Sequence, residues 1–306
     1  MTTTIVRVAA PATTANLGPA FDAAGLALDW WDTVEVRVGA AGLDETTMHV
    51  VGAEAELLPV GPGNLVRRAM TAMADHIGEP LPAAHLSVVK GFPLGRGFGS
   101  SAAAVVLGLL AARALLRPDL PDAAVLELAT ELEGHPDNVA PCLAGGATLC
   151  WREAGQVHMA ELPVGERLTA VALVAARPLS TETARKLLPP QVPFELAAAT
   201  AGRAALLAPA LAGADELLLP ATEDALHQPT RLALDEAAAG ALEALRADGH
   251  AAFLSGAGPS LVVLCPDEQA ETVQAAAEQA VAGADGWLVR PVELARSGAL
   301  ASVHTA

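Results

Sequence analysis

The run Pro93-Leu94-Gly95-Arg96-Gly97-Phe98-Gly99-Ser100-Ser101-Ala102-Ala103-Ala104 constrains this chain more than any other stretch. Three glycines at alternate positions end in a serine pair, and the pair opens a long apolar run. Glycine lets the backbone curl and removes the Cβ that would keep a ligand away. Successive N–H groups then turn toward one point, and the helix that follows adds unpaired N–H groups and the positive end of its dipole. Such a loop takes phosphate. It is not the common nucleotide loop, because no lysine follows the last glycine. A plain serine-capped turn would leave the paired serines, Pro93 and the run of alanines unexplained.

Composition narrows the partners. A formal net charge of −17 argues against nucleic acid or an anionic membrane, both of which need clustered Lys and Arg. It leaves ATP open, since backbone N–H groups, a few cations and a metal ion suffice to hold a nucleotide. With 306 residues, 52 % of them apolar, the chain can build a full core without disulfides. Cys142, Cys150 and Cys265 are too few and too far apart for a disulfide framework or a zinc site. They read as small buried hydrophobes in a reducing compartment. The N-terminus lacks the apolar core of a signal peptide. Ala102–Leu116 is too short to span a bilayer. The expectation is a soluble, cytoplasmic protein.

The pattern along the chain mixes strands with helices and predicts an α+β layout. Ile5–Ala9, Thr33–Val38, His85–Val89, Thr169–Ala175, Leu261–Cys265 and Gly286–Val292 read as strands. Helices are expected from Asn64 to His76, from Ser101 to Pro118 and over Asp122–Glu133. Further helices are expected over Phe194–Ala212, Leu232–Ala247 and Glu268–Ala282. His135-Pro136-Asp137-Asn138 reads as a polar knot in the chain. A domain boundary is expected between Trp151 and Leu168, giving units of residues 1–160 and 161–306.

Four motifs stand in order: ATTANLGPAFDAAGLAL (Ala12–Leu28), the phosphate loop, EGHPDNVAP (Glu133–Pro141) and LSGAGPS (Leu254–Ser260). Together they resemble the homoserine kinases, a family of the GHMP superfamily of small-molecule kinases, across nearly the whole chain. HQPTR (His227–Arg231) resembles the same family. The resemblance implies an N-terminal S5-domain-2-like nucleotide domain and a C-terminal ferredoxin-like domain. It also implies phosphorylation of L-homoserine by MgATP, a step toward threonine. A homodimer is compatible with it.

On residues alone, Asn16 reads as a turn cap and Asp22 as a solvated loop acid. The resemblance makes both contacts to an amino-acid substrate, together with His135, Asp137, Asn138 and Gly256. It makes Arg185 and Arg231 clamps for carboxylate and phosphoryl charge, which suits their planar forks. Asp137 is then either a general base or an orienting group, a choice left open because phosphoryl transfer draws mainly on positioning. Mg²⁺ needs one or two oxygen ligands from the protein. Glu131 with Ser101 is the expected pair, with Glu133 as the competitor. Asn64 resembles an adenine contact and also suits a helix cap. Lys90 and Arg96 flank the loop as candidate phosphate contacts. Three positions depart from the family pattern. Ala20 stands where glycine is usual, Phe98 where leucine is, and Thr230 where tyrosine is. Ala20 would strain its loop if the position required a positive φ.

Overall fold

The computed structural model describes residues 2–39 and 43–305. The strands, in chain order, are β1 (Thr4–Ala15), β2 (Ala24–Val38), β3 (Thr47–Gly52), β4 (Ala84–Lys90), β5 (Ala147–Glu153) and β6 (Gln156–Leu162). They continue with β7 (Leu168–Val174), β8 (Ala251–Leu254), β9 (Leu261–Pro266), β10 (Leu288–Val292) and β11 (Leu300–Thr305). The helices are α1 (Leu65–Ile77), α2 (Ser100–Leu116), α3 (Asp122–Glu133), α4 (Pro136–Ala144) and α5 (Thr181–Lys186). After them come α6 (Phe194–Leu211), α7 (Leu218–Ala221), α8 (Gln228–Leu232), α9 (Glu236–Ala247) and α10 (Ala270–Ala280).

Among the described residues the strands form two sheets, in the expected α+β layout. In the first, the order is β11-β1-β2-β4-β3, and β5 joins β2 to β6. β1 and β2 pair antiparallel from Thr4↔Val38 to Ala15↔Gly25, with a shift in register at Pro11/Ala12. Val6, Val8, Val34 and Val36 bury one face of this sheet, while Arg7 and Arg37 stay in solvent. Helices α1 to α4 cover the buried face. α2 lies at the centre of the layer and is apolar all round, with Ala102, Ala103 and Val105–Ala112 all buried. Each fully buried Val or Leu there contributes roughly 1.5–3 kcal/mol. Asn64 begins α1 by accepting from the Val66 N–H (3.0 Å), and Gly78 ends it in the left-handed region.

The second sheet has the order β10-β7-β9-β8, antiparallel throughout. β7-α9-β8 and β9-α10-β10 are its two strand-helix-strand units, which is the ferredoxin-like arrangement the resemblance implied. β7, β8 and β9 are buried along their whole length because both faces are covered. Val171, Leu173, Leu254 and Val263 pack with Leu242, Leu245 and Val273 of α9 and α10. Ala172, Val174, Phe253 and Val262 face the main core instead, with Leu207, Ala210 and Leu211 of α6. By length and composition α6 is apolar enough to cross a membrane; these three side chains bury its inner side in the core.

Several elements depart from the sequence reading. The expected division after residue 160 falls inside β6. β11 then returns the end of the chain to the first sheet, pairing Thr305 with Thr4 and Leu300 with Ala9. Residues 161–306 therefore serve both sheets. The polar knot is a helix, α4, begun by Pro136. Pro141 has no N–H to give the Asp137 carbonyl, and that oxygen lies 1.8 Å from where a Cβ on Gly25 would stand. Only glycine at position 25 lets α4 settle on β2. The helix expected over Leu232–Ala247 is two, because Asp235 caps α9 by accepting from Ala238 N–H (3.0 Å).

Candidate active site

The phosphate loop joins β4 to α2. Gly95, Gly97 and Gly99 hold φ of 64°, 88° and 64°, a left-handed region that L side chains resist. Alternating such residues with ordinary ones turns the N–H groups to one side. No side chain caps α2, so its first-turn N–H groups face the same space. A Cβ on Gly99 would stand 2.0 Å from Thr13 Oγ1 and 3.0 Å from Asn138 Oδ1. Those two atoms bond each other (2.8 Å) beneath the loop. Phe98 is buried, 5.7 Å between ring centroids from Trp30, and anchors the loop from below.

Opposite the loop stands a wall of charged groups. Asn16 Nδ2 donates to the Gly256 carbonyl (3.0 Å), and its Oδ1 accepts from the Asp22 N–H (2.9 Å). This holds Asp22 at a φ of 56°. Both Asp22 oxygens accept from Arg185, at 2.7 and 2.8 Å. His135 Nδ1 donates to Asp137 Oδ1 (2.5 Å), and Asn138 Nδ2 reaches the same oxygen (3.3 Å). Arg231 is buried, and its Nη1 donates to the Gly256 carbonyl (3.0 Å). Loop and wall face each other across one cleft that opens to solvent.

The charges act on one another. Burial lowers the His135 imidazole, but the Asp137 carboxylate, with Glu133 and Asp22, outweighs it and the net shift is upward. Burial raises Glu133, although Ser101 and His135 pull the other way. Arg231 is lowered by burial and then by Arg185, while Arg185 is raised by its bond to Asp22.

The GHMP kinases N terminal domain family matches residues 64–146, and the GHMP kinases C terminal family matches 197–283. A homoserine kinase of Streptomyces coelicolor is 44 % identical over 297 residues, covering 96 % of this chain and 93 % of that one. The chain belongs to the homoserine kinases. A homoserine kinase of Leifsonia xyli is 42 % identical, over 95 % of this chain and 89 % of its own. The crystal structure of homoserine kinase from Cytophaga hutchinsonii superposes with a TM-score of 0.85 at 28 % identity, covering 97 % of each chain. L. major mevalonate kinase shares the fold, with a TM-score of 0.70 at 17 % identity over 95 % and 96 % of the two chains.

Of the residues expected from this homoserine kinase family, the cleft gathers Asn16, Asp22, Gly95, Gly97, Gly99, Ser100 and Ser101. It also gathers His135, Asp137, Asn138, Arg185, Arg231 and Gly256. Others lie outside it. Glu131 is exposed on α3 and does not line the cleft, whereas Glu133 does, accepting from Ser101 Oγ (2.8 Å). The two glutamates are two residues apart, so they point to opposite sides of the helix. Asn64 spends both ends of its amide on the backbone, Nδ2 donating to the Pro59 carbonyl (2.9 Å). Lys90 forms a buried ion pair with Asp32 and does not reach the loop. Arg96 turns away as well: it pairs with Glu54 (2.6 Å) and donates to the Ala175 and Ala176 carbonyls. Pro93, Leu94, Phe98, Ala102 and Ala103 support the loop without lining the cleft.

Ala20 is free of strain, because the non-glycine positive φ values of this loop fall on Asn16, Leu17 and Asp22. The sequence reading missed Leu179 of the β7–α5 connection and Thr181 at the start of α5, which line the cleft; Leu179 N–H bonds the Gly95 carbonyl (2.8 Å). The three cysteines are free and buried, as expected, and burial pushes Cys150 up to about 12 and Cys265 up to about 11.

Proposed function

We propose that this chain transfers the γ-phosphoryl group of ATP to the hydroxyl of L-homoserine, giving O-phospho-L-homoserine and ADP in threonine biosynthesis. The observation that carries the reading is the Asp22–Arg185 pair facing the phosphate loop across one cleft. A zwitterion matches it charge for charge. The ammonium suits Asp22, and the carboxylate suits Arg185 and the buried Arg231. The triphosphate suits the loop amides and the start of α2.

In this arrangement the substrate hydroxyl oxygen bonds to the γ-phosphorus as the bond to the β,γ-bridging oxygen breaks. Asp137 has one oxygen engaged by His135 and Asn138, and the other is available to orient the hydroxyl. Phosphoryl transfer does not require it to take the proton, which can pass to an oxygen of the transferred phosphoryl group or to water. Fixing both reactants removes up to roughly 7–11 kcal/mol of the barrier.

Ser101 and Glu133 fit Mg²⁺. They offer one hydroxyl and one carboxylate, 2.8 Å apart, at the edge of the loop. Among the described residues no cluster of three His, Cys, Asp or Glu side chains is assembled. Phosphate oxygens and water would complete the shell, as is usual for this ion. Bound there, Mg²⁺ offsets the charge of the triphosphate.

A substrate panel with an ADP-release readout tests the reading. L-homoserine is expected to give the highest kcat/KM. A preference for mevalonate or another alcohol without an amino group would overturn it.

A further inference from the structure

Arg231 is held by an unusual neighbour. Its Nη1 is fully engaged, donating to His227 Nδ1 (3.2 Å) and to the Gly256 carbonyl (3.0 Å). Its Nε is buried and has no partner. One edge of the guanidinium is thus anchored and the other left for a ligand. The anchor is His227, one helical turn earlier at the start of α8.

Two bonds settle the state of this histidine. A guanidinium has only protons to give, so Nδ1 must accept. A carbonyl can only accept, and that of Gly18 lies 2.9 Å from Nε2, so Nε2 carries the proton. The ring is neutral. A second proton would break the bond to Arg231 and set two cations together. The groups facing the ring are Arg231, the Asp224 carboxylate 3.5 Å from Nε2, the more distant Asp22, and the Phe21 ring at 5.1 Å. Asp224 does not reverse the state, because its oxygens accept the N–H groups of Leu226, His227 and Gln228. Burial and then the Arg231 charge hold His227 below its ordinary value despite Asp224.

We propose that neutral His227 is a positioning residue, which ties Arg231 to Gly18 so that the Nε edge of the guanidinium faces the carboxylate of the substrate. This rests on the function proposed above and adds a link between two substrate elements. Asn16 donates to the same Gly256 carbonyl as Arg231, and it also holds Asp22. One hydrogen-bonded ring therefore sets the position of both the cation and the anion that meet the amino acid. The histidine is the member whose second proton would break the bond to Arg231.

The test uses the full chain with His227→Gln and His227→Ala. The expected result is a ~10-fold rise in KM for L-homoserine, larger for Ala than for Gln, with KM for ATP within ~2-fold. An unchanged KM for homoserine, or equal rises for both substrates, overturns the proposal. Long-range ¹H–¹⁵N spectra of the unsubstituted chain with labelled histidine give a second readout, independent of how the variants fold. At pH 7 they should show a neutral ring protonated on Nε2. A charged ring, or one protonated on Nδ1, overturns the proposal. Failure of the functional reading looks different: the unsubstituted chain would not turn over homoserine at all.

Discussion

At Gly95, Gly97 and Gly99 the cleft is lined by backbone. Across from it, on the loop of residues 16–22 and on α4, α5 and α8, it is lined by charged side chains. On the function proposed above, the two regions would meet their ligands by different physics. The loop works through N–H groups fixed by glycine geometry, with Lys90 and Arg96 both turned away onto Asp32 and Glu54. The wall works through ions that hold one another in place, as Asp22 holds Arg185 and Asp137 holds His135. A backbone site admits any polyphosphate of the right length and depends on shape. A wall of paired charges selects by pattern, and each pair must open or share when its ligand enters.

The largest effect should come from spoiling the loop's geometry without touching a charge. Gly99→Ala places a Cβ against Thr13 and Asn138 at a φ of 64°. We expect a ~10³-fold loss of kcat/KM for ATP, on the scale of lost oxyanion contacts, and a fall in stability of roughly 1–3 kcal/mol. Steady-state kinetics and a denaturant melt would show both. A near-normal enzyme would mean that the amides are not the grip.

Next in size is the carboxylate at the seam between the two regions. Glu133→Gln should lower kcat by ~100-fold. Glu131→Gln should stay within ~2-fold, as surface changes do. The reverse outcome would restore the assignment that sequence alone suggested.

That pair also shows what the sequence could and could not reveal. The loop was legible because glycine spacing and a serine pair leave little else for the backbone to do. The caps of α1 and α3 were legible for a similar local reason, Asn64 and Gly134. The choice between Glu131 and Glu133 was not local. It depends on how α3 is rotated against α2, and Val125, Leu126, Leu128, Ala129 and Thr130 are buried over too broad an arc to fix that rotation. Lys90 and Arg96 misled for the same reason: their partners lie 58 and 42 residues earlier in the chain. β11 left little trace either, because an exposed edge strand has no buried face to impose an alternation.

A smaller loss than that of Gly99→Ala or Glu133→Gln separates the wall from the loop. Asp22→Asn should raise KM for L-homoserine by ~10–30-fold, the cost of one charged hydrogen bond, and leave KM for ATP unchanged. If both constants rise together, wall and loop are one site energetically and the contrast drawn between them fails.

The most direct measurement is a crystal structure with L-homoserine and a non-hydrolysable ATP analogue. The phosphates should lie within hydrogen-bond distance of the N–H groups from Gly95 to Ala102, with the amino acid between Asp22 and Arg231. A nucleotide held by side chains, or bound away from the start of α2, would contradict the account.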